Sequence, residues 1–248
     1  MNKIFFTTSW DDGSVLDMKV ADLLFRYGMK GTFYIPEKFD GKNEKHSAYT
    51  RRLNEDEVRF IARIHEVGAH GITHRRLTVI PPKEAEGEIA SSKSFLENIT
   101  GAPVNVFAYP GGLWNELVMQ FTKDAGFTAA RTTQKLFIQK DAEQFLMNVT
   151  VTCQPFPLRK KDADHYYWGR ILDPMRTYTP RQFAFSWQSL ARKWFKKALA
   201  EGNYFHLSGH SWELEKYGMW DELESFLKFV QSHKDVVYLC NGDMVNLK

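Results

Sequence analysis

The chain has 248 residues, a formal charge of +3, 43% hydrophobic residues and 25% charged residues. That is ordinary for one α/β domain and leaves little room for an electrostatic nucleic-acid binder, since the basic runs Arg159-Lys160-Lys161 and Arg192-Lys193 with Lys196-Lys197 are short enough to be solvated faces. No apolar run approaches the roughly 20 residues needed to cross a bilayer, and two cysteines, Cys153 and Cys240, are too few for a disulfide framework.

Residues 3–9 read as a buried strand entered directly from Met1-Asn2, with no apolar leader before it. A cytoplasmic protein with reduced thiols is therefore expected. Leu16, Val20, Leu23, Leu24 and Tyr27 recur at helical spacing until Gly28 stops them, and residues 31–35 form the next strand, ended by Pro36. This βαβ unit implies a parallel sheet. Residues 37–52, with His46, are polar and aperiodic and predict a surface loop. Asn54 and Glu57 then make a capping box for a helix with Val58, Ile61, Ala62 and Ile64 on its apolar face. Gly68 ends that helix, and Ala69-His70-Gly71-Ile72-Thr73-His74 falls at the end of a third strand.

Pro82 suits the first turn of a helix running to about residue 98. Residues 104–108 are a strand leading into Tyr109-Pro110-Gly111-Gly112, followed by a helix over 114–126 and strands over 128–133 and 148–151. Residues 155–189 are rich in aromatics and charges without a period, which predicts an insertion or long loop. A helix over 190–201, a strand over 203–208, the segment His210-Ser211-Trp212-Glu213, a helix over 219–233 and a strand over 236–239 complete the order. Alternating strands and helices without internal repeats predict a single (β/α)-barrel domain over 1–248, whose C-terminal sheet edge carries the chemistry.

Two adjacent carboxylates, Asp11 and Asp12, closed by Gly13 at that edge would repel each other unless a cation compensates them. His70 and His74 at the same edge supply two imidazoles. With one carboxylate of the pair they make one oxygen and two nitrogen donors, and three protein ligands with an open position suit a catalytic metal. Such a donor set favours zinc and also accepts cobalt, nickel or manganese.

Thr8-Ser9-Trp10-Asp11-Asp12-Gly13, followed by His70-x-x-x-His74 and a late histidine, resembles the polysaccharide deacetylase family, the NodB-type region of the family 4 carbohydrate esterases. The resemblance spans residues 3–239 and implies a distorted (β/α)7 barrel. It assigns Asp12, His70 and His74 to a divalent metal and Asp11 to the catalytic base. Tyr109-Pro110-Gly111-Gly112 is similar to the turn that offers an N–H to the oxyanion, with Gly111 standing where the family has an aromatic residue and Tyr109 expected to face the oxyanion or substrate beside it.

Leu207-Ser208-Gly209-His210 resembles the motif of the general acid, although the usual spacing has one residue between leucine and histidine. His206 is the competing histidine, and Trp212 is placed beside His210 as a sugar platform or as cover. The family's arginine partner of the base is replaced here by Ala108, leaving Arg131 as the candidate substitute, and the aspartate-rich fourth motif is not recognisable. The activity implied is metal-dependent removal of N-acetyl groups from an amino sugar or glycan precursor. Hydrolysis of a cyclic amide or ureide, or sugar binding without catalysis, are the alternatives.

Overall fold

The computed structural model describes residues 3–39, 51–135, 149–151, 187–201 and 204–246. Cys153, His46 and the expected insertion up to residue 186 lie outside them; residues 187–189 belong to a helix rather than to that insertion.

In chain order the elements are β1 (Ile4–Asp11), α1 (Asp17–Arg26), β2 (Thr32–Ile35), α2 (Glu55–Ala62), β3 (Glu66–Ala69), α3 (Pro82–Thr100), β4 (Val106–Ala108), α4 (Glu116–Asp124), β5 (Ala129–Lys135), β6 (Val149–Val151), α5 (Trp187–Glu201), β7 (Tyr204–Gly209), α6 (Ser211–Tyr217), α7 (Trp220–Gln231) and β8 (Val236–Leu239). Local chemistry explains several boundaries. The Asn54 carbonyl oxygen accepts from the Glu57 N–H at 2.9 Å and the Glu57 carboxylate accepts from the Asn54 N–H at 2.9 Å, so the reciprocal cap of α2 forms. Pro82 opens α3, and Gly101 ends it in the left-handed conformation.

The strands form a parallel sheet in the order β6-β5-β4-β3-β2-β1-β7, with β8 as an additional partner of β1. Seven strands thus follow one curled path, as expected for a distorted barrel, and among the described residues no ladder joins β6 to β7. β1 is the centre of this arrangement. Ile4–Thr7 pair with β8, Ser9–Asp11 pair with β2, and Phe5–Trp10 pair with β7.

Pleating sends the two faces of β1 to different places. Phe6 stacks on Phe205 and meets Phe195 of α5 edge-on, in the helix layer. Thr7 and Ser9 face the barrel interior, where the two His206 ring nitrogens lie 2.5 Å from Thr7 Oγ1 and 2.9 Å from Ser9 Oγ. His206 is therefore a buried tenant of the barrel, and burial pushes its pKa down.

At the opposite end of the barrel, the Glu66 carboxylate accepts from the Thr32 hydroxyl at 2.7 Å and from the Gly242 N–H at 3.0 Å. Burial nevertheless pushes its pKa up to about 7. Because the folded pKa exceeds the unfolded one, the stability tied to the protonated form is fully present below about pH 4.5 and is lost as pH rises to about 7. Glu66→Gln is expected to flatten this slope. Melting temperatures compared at pH 5 and pH 8 should show the variant gaining on the parent only at the higher pH.

No helix among the described residues is long and apolar enough to cross a membrane.

Candidate active site

Consecutive residues on a strand point to opposite faces, so Asp11 and Asp12 would not normally converge. Here β1 ends at Asp11, and Asp12 takes a left-handed backbone with φ of 83°. The turn redirects its side chain, and both carboxylates reach the same place: His210 Nε2 lies 4.0 Å from Asp11 Oδ2 and 3.6 Å from Asp12 Oδ2. His74 is also left-handed, with φ of 56°. Strained positions of this kind persist only where the surroundings hold them.

The histidine loop after β3 is held from α3. Glu88 is buried; its Oε2 accepts from the backbone N–H groups of Ile72 at 2.9 Å and Thr73 at 2.8 Å, and its Oε1 accepts from the Thr73 hydroxyl at 2.6 Å. Glu88→Ala is expected to free the loop and weaken zinc affinity by about 10–100-fold, the range for lost supporting bonds around metal ligands. Zinc titration against a chelating dye would measure it.

The His70 Nδ1–H donates to the Ala108 carbonyl at 2.7 Å, which leaves the Nε2 lone pair facing Asp12 at 3.8 Å. His74 Nε2 lies 3.4 Å from the same Asp12 Oδ1. Burial pushes His70 down to about 4, with His74 adding to the shift, and burial also lowers His74. Burial works against charge on Asp12 too, but the imidazoles of His210, His74 and His70 and the Trp212 N–H outweigh it, and its pKa is lowered.

The three donor atoms lie within 4.8 Å of one another, and Asp12 Oδ1 is buried without a hydrogen-bond partner. A buried carboxylate oxygen left bare beside two neutral imidazoles suits a divalent cation with mixed nitrogen and oxygen ligands.

Beside this triad, Asp11 and His210 are each paired with a buried partner. Asp11 is paired with Arg131, which is buried on β5 and extends from the strand position directly beside Ala108. The cation expected before the third-motif turn has thus moved one strand along the sheet. The His210 Nδ1–H donates to Glu213 Oε2 at 3.1 Å. Glu213 is itself buried. Sequence reasoning missed it, although an i, i+3 pair at the start of a helix is a usable signal. Helix α6, which carries the pair, was not expected either.

Two expected substrate residues are placed differently. Tyr109 is fully buried and packs edge-on against Phe107, so it belongs to the core and offers no face to a ligand. Trp212 is 4% exposed, and its indole N–H donates to Asp12 Oδ2 at 3.0 Å, so it orients the carboxylate instead of forming a sugar platform. Gly111 is exposed with φ of 66°, on a turn whose Pro110 abuts Gly71 beside His70.

Residues 2–130 match the model of the family described as polysaccharide deacetylase. The chain belongs to the polysaccharide deacetylase family. YxkH of Bacillus subtilis (strain 168), provisionally described as a polysaccharide deacetylase, is 26% identical over 143 residues, 56% of this chain and 48% of YxkH. The chain thus spans about half the length of that curated relative.

Among solved structures, a Mycobacterium smegmatis protein provisionally described as a polysaccharide deacetylase aligns with a TM-score of 0.69 at 15% identity, covering 99% of this chain and 90% of the other. A family 4 acetyl xylan esterase from Clostridium thermocellum, in complex with a cobalt ion, aligns with a TM-score of 0.57 at 14% identity, covering 98% and 91%. These likenesses establish the barrel of the polysaccharide deacetylases as the fold. Asp11, Asp12, His70, His74 and Gly111 fall within the family match, whereas Arg131, His210 and Glu213 lie beyond it.

Proposed function

We propose that the chain is a metal-dependent hydrolase that removes N-acetyl groups from an amino sugar or glycan precursor, with Asp12, His70 and His74 holding the metal, most naturally zinc. The observation that carries this reading is the convergence of a three-donor cluster with a buried carboxylate base and an oriented imidazole, all within about 4 Å of Asp12 or Asp11.

A bound divalent ion would supply Lewis acidity toward the acyl carbonyl and acidity to an attacking water. Asp11 accepts the proton of that water. Its carboxylate is paired with Arg131, which fixes its direction. The Gly111 N–H, exposed at the turn, is the donor assigned to the developing oxyanion; one such donor is worth about 10²–10³ in rate.

An amine is a poor leaving group and needs a proton. His210, oriented through Nδ1 by Glu213, gives one from Nε2, a contribution of about 10²–10⁴. Glu213 stabilises the charged ring before transfer, as an acidic partner does for a catalytic imidazole elsewhere.

Acetate release from N-acetylated sugars by metal-stripped protein, with zinc or cobalt restored, tests the proposal beside Asp11→Asn and His210→Ala. Metal-dependent release that falls in both variants is expected. Stoichiometric metal binding with no acetate from any N-acetyl sugar would overturn the reading and move attention to cyclic amides.

A further inference from the structure

The charges around the site balance in pairs, with one exception. Asp11 is taken by Arg131, Glu213 by His210, and Glu88 by the loop N–H groups and Arg75. Arg75 also bonds Glu84 at 2.9 Å. Arg52 is half-buried against the Pro36 carbonyl and the Phe39 ring and faces Asp12, Asp17 and Glu37. Arg76 is different. It is exposed, two residues beyond the ligand His74; its carbonyl accepts from the Val79 N–H at 3.2 Å, but among the described residues its side chain has no hydrogen bond or ion pair.

Its place is as informative as its freedom. Gly111 has no side chain, and a Cβ there would lie 3.7 Å from Arg76 Nε and 3.8 Å from its Cγ. The arginine stem therefore lies over the bare turn that carries the assigned oxyanion donor. An aromatic residue at 111 would compete for this space.

We propose that Arg76 is a specificity-determining residue which binds an anionic group, a carboxylate or phosphate, on the N-acylated substrate close to the acyl group being removed. The inference rests on the deacetylase reading and deepens it by naming the substrate class as an acidic amino sugar. Guanidinium is suited to the task because its planar donors match both oxyanions in a bidentate fashion. A divalent ion on Asp12, His70 and His74 adds positive charge to the same mouth, and no free carboxylate among the site residues described above stands against it.

The test compares kcat/KM for N-acetylglucosamine, N-acetylglucosamine 1-phosphate and N-acetylmuramic acid, using the zinc-restored 248-residue chain and its Arg76→Ala and Arg76→Lys variants. A charge-assisted contact worth about 1.5–3 kcal/mol translates into about 10–100-fold in affinity. Arg76→Ala should lower the ratio of acidic to neutral kcat/KM by that factor, chiefly through KM, and Arg76→Lys should restore part of it. The phosphate and carboxylate arms show which anion is preferred, and the effect should shrink at high salt.

An unchanged ratio in Arg76→Ala, with acetate still released, would overturn the inference and leave the deacetylase reading standing. If no sugar is turned over, calorimetric binding of N-acetylglucosamine 1-phosphate decides. Loss of binding in Arg76→Ala supports the anion site, and equal binding or none in the parent overturns it.

Discussion

Asp12→Ala is expected to abolish stoichiometric zinc binding and, with it, all metal-dependent acetate release. Three reasons converge on this residue. It supplies the single oxygen donor of the triad, and its Oδ1 lies between His70 and His74 at 3.8 and 3.4 Å. Alanine would leave two imidazoles without a carboxylate, below the three protein ligands that catalytic sites keep. It would also strip the Trp212 indole N–H of its acceptor, leaving a buried donor unpaired. Calorimetric titration with zinc and acetate assays on the same preparation measure both effects. Retained tight binding would place the metal elsewhere.

Arg131→Met is expected to have the largest effect on stability. Its guanidinium is 1% exposed, bonds Asp11 and the Thr132 carbonyl, and sits with Cζ 5.2 Å from the Tyr34 ring centroid. Methionine would fill much of the space but abandon a buried carboxylate. Breaking a buried pair from one side typically costs about 3–5 kcal/mol, which for a domain of this size is a fall in melting temperature of about 10 °C. The double variant Asp11→Asn with Arg131→Met should recover most of that loss while remaining inactive, because the charge left bare is gone. A single variant that melts within about 2 °C of the parent would show that Asp11 does not depend on Arg131.

How much of this was legible beforehand depends on how local each cause is. Helix starts at Asn54 and Pro82 were readable because capping and proline geometry act within one turn. Asp11-Asp12 and His70-x-x-x-His74 were readable because the chemistry is dense in short segments, and Arg131 was reachable as a substitute because a cation was missing next door. Glu88 was not. On α3 it looks like any polar helix position, and its task is set by a loop about one helix length upstream in sequence. Tyr109 was misread because proximity to a motif says nothing about which face of the turn is buried. Trp212 packs beside His210 as expected, with ring centroids 5.5 Å apart, but its bond to Asp12 was not legible, because only the tertiary position of Asp12 sets it.

The central position of β1 has a further consequence, for the order in which the protein is assembled. Residues 3–11 are made long before their partners on one whole side, β7, which come from Tyr204–Gly209, and the Ile4–Thr7 half also waits for Val236–Leu239. Pairings across so much of the chain close slowly. Until residues 204–209 are available, β1 has an open edge of the kind that invites association with other chains. The histidine loop can meet Asp12 long before His210, Glu213 and Trp212 arrive. Chains stopped short of β7 would therefore carry Asp12, His70 and His74 without His210, and would be the species most exposed to aggregation.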